Sequence, residues 1–243
     1  MSKFCHTPAS ETSALTAEGV CKSYGPRRVL SAITMRVRRG EGVALCGPNG
    51  AGKSTLLSLF AGLARPDGGS VQVFGASPWT PATRRALGFV PQELALYPEL
   101  TGAENVTLFG RLFGLRWRAL RDGVHDALAK VDLLPVANVR AGTYSGGMSR
   151  RLSVACALVH GPSLLLLDEP FVGMDDRARD QLITALALQK RTGLTLVLST
   201  HARDEALVLC ERMLVMANGH LVGDEPLAAR SVARLARRAV GAS

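Results

Sequence analysis

Aromatic residues are scarce: seven Phe, three Tyr and two Trp make up 5% of the 243 residues. Sequence-tolerant binding of single-stranded nucleic acid relies on several stacking rings, so nucleic acid is not an expected partner. Cysteine is limited to Cys5, Cys21, Cys46, Cys156 and Cys210, an odd number with no C-x-x-C pair. That excludes a disulfide scaffold and reads as inert, buried thiols in a reducing compartment. Long apolar runs are missing too. The most apolar stretch, 152–167, is broken by His160, Gly161, Pro162 and two serines, whereas a membrane-spanning helix needs about 20 mostly apolar residues. Residues 1–19 have no apolar segment of the secretory type, so export of this chain is not expected. No repeat and no Gly/Ser-rich linker divides the sequence.

What is present is a globular composition. Hydrophobic residues make up 47% and charged residues 20%, and mean hydropathy is +0.15, a poor fit to disorder. The length suggests one or two domains. Apolar strands alternate with helical patterns, which favours an α/β fold with a mostly parallel sheet. Residues 43–46 read as a buried strand, and 164–167 and 194–198 as two more. From Lys53 onward, Leu56, Leu59, Phe60 and Leu63 share one helical face. Asn218 and Gly219 separate two short apolar runs, the signal of a tight hairpin. The middle differs. Thr101 and Glu104 fit a capping box, Val106, Phe109 and Phe113 follow at helical spacing, and Val124, Ala127, Leu128 and Val131 form a second helical pattern. The expected organisation is therefore an α/β core of 13–93 and 151–225, an all-helical insertion over 94–150, and a basic tail over 226–243.

The charge balance is 29 basic against 20 acidic residues, +9 in all. Basic residues gather at Arg27, Arg28, Arg36, Arg38 and Arg39, and again at Arg230, Arg234, Arg237 and Arg238. Solvated faces are the first reading. Contact with anionic lipid head groups is the second.

The strongest local signal runs from Gly47 through Pro48, Asn49, Gly50, Ala51 and Gly52 to Lys53 and Ser54, with Thr55 next. It matches G-x-x-x-x-G-K-[ST] at every defined position, between a predicted strand and a predicted helix. Glycines let successive backbone N–H groups turn inward as an anion nest. The helix start adds orphan donors and partial positive charge. Lys53 brings a full charge to the outer phosphates, and the Ser54 hydroxyl suits Mg²⁺. A second signal is the apolar strand ending in Asp168 and Glu169. Carboxylates at the C-terminal edge of a parallel sheet face the ligand crevice. Asp168 is the expected Mg²⁺ ligand and Glu169 the expected general base for the attacking water.

With these motifs in place, the chain resembles the ATP-binding subunit of an ABC transporter. Tyr144, Ser145, Gly146, Gly147 and Met148 resemble the signature usually written LSGGQ. Gln92 resembles the Q-loop glutamine, the segment 173–175 ending in Asp175 the D-loop, His201 the switch histidine, and Tyr24 the aromatic that stacks on adenine. The resemblance covers about residues 15–222. It implies a RecA-like P-loop core with an antiparallel β subdomain and an inserted helical signature subdomain. It implies ATP and Mg²⁺ as ligands, with Ser54, Gln92 and Asp168 around the metal and Glu169, His201, Gln92 and Lys53 in catalysis. It also implies a dimer, with itself or a related ATPase, in which Ser145, Gly146 and Gly147 of one subunit cap ATP bound to the other. A separate integral membrane subunit is the implied partner, reached from the cytoplasmic face. Leu94, Leu96 and Tyr97 are plausible lining of that contact, although core packing is an equal reading. Two positions depart from the usual signature, Tyr144 in place of Leu and Met148 in place of Gln. This variant resembles subunits of ABC-2-type exporters. An ABC-type ATPase serving nucleic acid or cluster assembly is the alternative.

Overall fold

The computed structural model describes residues 13–201 and 207–227. Cys5, His6 and the tail arginines 230, 234, 237 and 238 lie outside the described residues.

The main sheet has six strands in the order β5-β6-β7-β3-β8-β9. These are β3 (Gly42–Cys46), β5 (Leu87–Val90), β6 (Leu164–Asp168), β7 (Thr195–Thr200), β8 (Arg212–Ala217) and β9 (His220–Pro226). The first five run parallel, and β9 returns antiparallel to β8. β3, β6 and β7 read as unbroken apolar runs because both sheet faces are covered, and nearly every residue in them is buried. The expected hairpin is present: Asn218 and Gly219 both take left-handed φ, 48° and 78°, which a type I′ turn requires. A second, antiparallel sheet has the order β2-β1-β4, from β1 (Ser13–Tyr24), β2 (Arg27–Arg38) and β4 (Gly68–Val73).

Helix α1 (Lys53–Phe60) lies between the two sheets. Leu56, Leu57, Leu59 and Phe60 are fully buried against Leu30, Ile33, Val71 and Leu166. Burying side chains of this size contributes about 1.5–3 kcal/mol each. One expectation fails here. Leu63 lies beyond the helix and is 68% exposed, because the chain turns off at Gly62, where φ is +70°. A Cβ at Gly62 would sit 2.5 Å from the Pro78 carbonyl oxygen, so the helix stops before Leu63 can join its face.

The second core joins the other face of the sheet to the helical region. That region holds α3 (Gly102–Leu112), α4 (Trp117–Lys130) and α5 (Gly146–Leu158), which follow the short α2 (Pro81–Arg85). The capping box forms as the sequence indicates: Thr101 Oγ1 accepts from Glu104 N–H, and Glu104 Oε2 accepts from Thr101 N–H. Both bonds hold the Glu104 carboxyl below its usual range. Residues 94–100 carry no helix, and α5 runs through position 150 to Leu158. The 150/151 boundary therefore falls inside one continuous helix. Phe113 stacks on His160 at 3.6 Å between ring centroids, and a His160 ring nitrogen lies 2.9 Å from the Leu87 carbonyl oxygen. The end of α3 is thus clamped to the start of β5. Cys156 and Cys210 are buried and their thiols pushed up, Cys156 to about 12. Cys21 and Cys46 are only half-buried, so the fully buried reading holds for two of the four described thiols.

Candidate functional site

Cys46, Asp168 and Thr200 stand in register at the same edge of the parallel sheet, with Cys46 beside Thr200 and Asp168 beside Ser199. The chain leaves that edge three times, into the phosphate loop, into Glu169 and into His201. These departures line one cleft of about 810 Å³. It collects Asn49, Gly50, Gly52, Lys53, Ser54, Thr55, Gln92, Glu169 and His201, the catalytic set expected from sequence together with most of the phosphate loop.

The loop's geometry explains its glycines. Gly52 is the N-cap of α1 at φ +102°, and a Cβ there would press Leu30 Cδ2 at 2.6 Å. Lys53 is 5% exposed. Its Nζ donates to the carbonyls of Gly47 and Pro48 at 2.9 and 3.2 Å and lies 3.7 Å from Glu169 Oε1. Lys53 therefore also braces the loop, beyond the phosphate-facing role read from the motif. Gly47, Pro48 and Ala51 do not line the cleft. Ala51 is buried in the core beneath it.

Glu169 carries a left-handed φ of 47°. Such strain in a non-glycine residue costs on the order of 1–3 kcal/mol and persists where the surroundings over-determine it. They do so here. Its N–H donates to Ser199 Oγ at 2.8 Å, and Ser199 Oγ donates to Asp168 Oδ1 at 2.5 Å. Its carboxylate lies between Lys53 and His201 Nδ1, the latter 3.4 Å from Oε2. One serine thus fixes both adjacent acids and sends them different ways. Asp168 is 4% exposed and outside the cleft lining, while Glu169 lines it.

The signature segment lies elsewhere. Ser145 caps α5, its Oγ accepting from Met148 N–H at 3.2 Å. Gly147 packs against α6 (Asp176–Arg191), where a Cβ would come 2.5 Å from Ala178 Cβ. Asp175 is the N-cap of α6 and accepts from Ala178 N–H at 2.8 Å. None of Ser145, Gly146, Gly147 and Asp175 lines the cleft. Both departures from the usual signature have a physical account. Tyr144 is buried and donates its hydroxyl to the Val136 carbonyl at 2.7 Å. Met148 packs its side chain against the core and contributes its N–H to the cap, a backbone contact indifferent to side-chain type.

Tyr24 is half exposed beneath Lys22 Nζ, 5.4 Å from the ring centroid, and it does not line the cleft. Arg27 and Val29 do. Several residues escaped the sequence reading as site residues, among them Ser199, Val29, Arg150 and Arg27, the last read only as part of a basic group. Arg150, one turn into α5, is buried and donates through Nη1 to the carbonyls of Pro91 and Gln92 at 3.2 and 2.9 Å. Burial pushes its pKa down and the Asp168 charge opposes that. The sequence signal for it was the doubled arginine 150–151, one residue past the signature.

Residues 30–172 match the sequence profile of the ABC transporter family, which is more than half the chain. The chain belongs to that family. It is similar to the linearmycin resistance ATP-binding protein of Bacillus subtilis, at 36% identity over 86% of this chain and 68% of that protein. It is similar as well to the Nod factor export ATP-binding protein I of Sinorhizobium fredii, at 41% identity over 86% of this chain and 62% of that protein. It thus spans about two thirds of the length of these relatives. A dimeric ATP-binding cassette solved in a post-hydrolysis state with ADP and Pi superposes at a TM-score of 0.80, with 27% identity, over 88% of this chain and 99% of that one. This ABC chain is therefore an ATP-binding, ATPase-type cassette, with the RecA-like core, antiparallel sheet and helical insertion that the resemblance implied.

Proposed function

We propose that the chain is the ATP-hydrolysing subunit of an exporter, powering a separate membrane subunit from the cytoplasmic face. The observation that carries the chemistry is the strained Glu169, aimed into the cleft between Lys53 and His201. A carboxylate so placed can take a proton from water in line with the outer phosphate. His201 then holds that phosphate, and Gln92 reports its presence.

Mg²⁺ fits the residues present. Ser54 and Gln92 bring oxygen donors to the cleft lining, the type that Mg²⁺ takes together with phosphates and waters. Asp168, buried at the strand end behind them, would hold it through water, and the ion would neutralise charge building on the phosphates.

A dimer would complete the site. Ser145 and the amides of Gly146 and Gly147 open a helix, an anion site by construction, yet they stand away from their own cleft. We infer that they close over the nucleotide of a second subunit, identical or related. The relatives' names support export. The helical region is taken as 94–150, extended along α5. Leu94 and Tyr97 are exposed and suit the membrane partner, while Leu96 packs against the core. No helix among the described residues is long and apolar enough to cross a membrane, which suits a peripheral subunit. The experiment is co-purification from membranes, with cross-linking from position 97. A partner captured only on the main sheet's far edge, at β9, would sink the assignment.

A further inference from the structure

The ATP cleft contains a cation that neither the motifs nor the comparisons assign. Arg27 opens β2, and its Cα lies opposite Tyr24 across the Gly25–Pro26 turn. It lines the cleft together with Val29, two residues on, as strand alternation requires. Its Nη2 hangs 3.9 Å from the point where a Cβ on Gly50 would sit, directly over the phosphate loop. Arg28, next in sequence and also exposed, does not line the cleft.

The cleft's charge distribution gives Arg27 its meaning. The Lys53 ammonium is already spoken for by two carbonyls and by Glu169. His201 faces the same carboxylate. The Arg27 side chain has no hydrogen bond or ion pair to any described residue, and so brings the cleft lining an uncompensated guanidinium. Arginine is charged at any working pH and carries planar donors suited to phosphate oxygens. Glu169 and His201 mark the end of the cleft where the outer phosphate reacts. Arg27 stands on the hairpin wall over Gly50, at the nest of the loop rather than among the catalytic groups.

We propose that Arg27 is a nucleotide-binding residue that grips the α- and β-phosphates, the part shared by ATP and ADP. This rests on the reading of the cleft as the ATP site. It makes Arg27 a retention device: the grip persists after the outer phosphate has left, so it slows ADP release. The hairpin also gains a role beyond packing, and Arg27 leaves the basic group read as a membrane-facing surface.

The test is titration of the full chain with Mg-ADP, with a non-hydrolysable Mg-ATP analogue and with adenosine, across a range of salt. Arg27 is exposed, so its charge-assisted bonds to phosphate are expected to be of the weaker sort. Arg27→Ala is expected to weaken ADP and the ATP analogue alike, about tenfold, to leave adenosine unchanged, and to flatten the salt dependence of both. Arg27→Lys restores part of the loss, and Arg28→Ala changes nothing. Loss confined to the ATP analogue would mean an outer-phosphate contact and overturn the proposal. So would an equal loss for adenosine, which would mean a base contact, or equal behaviour of the Arg27 and Arg28 variants. If the unaltered chain bound neither nucleotide, the cleft assignment itself would fall; binding that Lys53→Ala weakens and Arg27→Ala does not would leave the cleft standing and remove only Arg27.

Discussion

The two anion-binding edges of the chain differ in how complete they are. At the phosphate loop, a helix start, a buried lysine, a strained glutamate and a histidine converge on one cleft. At the signature, Ser145 and two glycines open a second helix, and none of the three lines the cleft. In the proposed function, one edge binds and does chemistry while the other only binds. Catalysis and its control are then physically separated, and a second subunit would bring them together.

Variants at the chemical edge should break the comparison most. Glu169→Gln keeps the shape and the Ser199 contact, which is made by the backbone, but it removes the proton acceptor. Hydrolysis should fall about 10²–10⁴-fold, with nucleotide still bound and an ATP-dependent dimer accumulating on size-exclusion chromatography. Turnover at the normal rate would remove Glu169 from the chemistry. At the signature edge, Gly146→Asp should spare ATP binding to the monomer and abolish dimerisation. The space permits it, since a Cβ there meets only the Gly173 carbonyl oxygen at 3.9 Å. The added carboxylate would face an outer phosphate of like charge in a partly dry cleft. A dimer of normal strength would end the two-edge account.

The link between the edges is Arg150, in the signature helix but bonded to the carbonyl of Gln92. Arg150→Met removes those bonds while keeping much of the volume. We expect kcat to fall roughly tenfold, from about 1.5 kcal/mol of lost charge-assisted bonding, with KM for ATP nearly unchanged. An equal fall in both constants would indicate general damage instead. The smallest effect concerns pH. Burial holds the His160 pKa below its ordinary value while its hydrogen bond to Leu87 opposes this. A group whose folded pKa is depressed loses its stabilising contribution as pH falls. The melting temperature should therefore decline below about pH 6.5, the ordinary histidine value. His160→Phe should flatten that slope, as followed by calorimetry.

Much of the chemical edge was legible because its residues are contiguous. Phosphate loop, strand-end acids and capping box are each short motifs whose geometry follows from spacing. What escaped was set by long-range register. Ser199 matters only because β6 and β7 align it with Asp168, and Arg150 because α5 passes the end of β5. Tyr24 pairs directly with Arg27 across the hairpin, on the same face, yet of the two only Arg27 lines the cleft. Leu63 fit a helical period that Gly62 had already ended.

Tyr144 has a consequence at another position. Its hydroxyl occupies the space beside Gly102, so that even a methyl group on residue 102 would collide with it. The two residues are 42 positions apart and form a single steric unit at the start of α3. A chain with leucine at 144 would be free to carry alanine at 102. With tyrosine at 144, alanine at 102 would require that hydroxyl to leave its place and its hydrogen bond to Val136. The double change Gly102→Ala with Tyr144→Leu should therefore be tolerated better than Gly102→Ala alone.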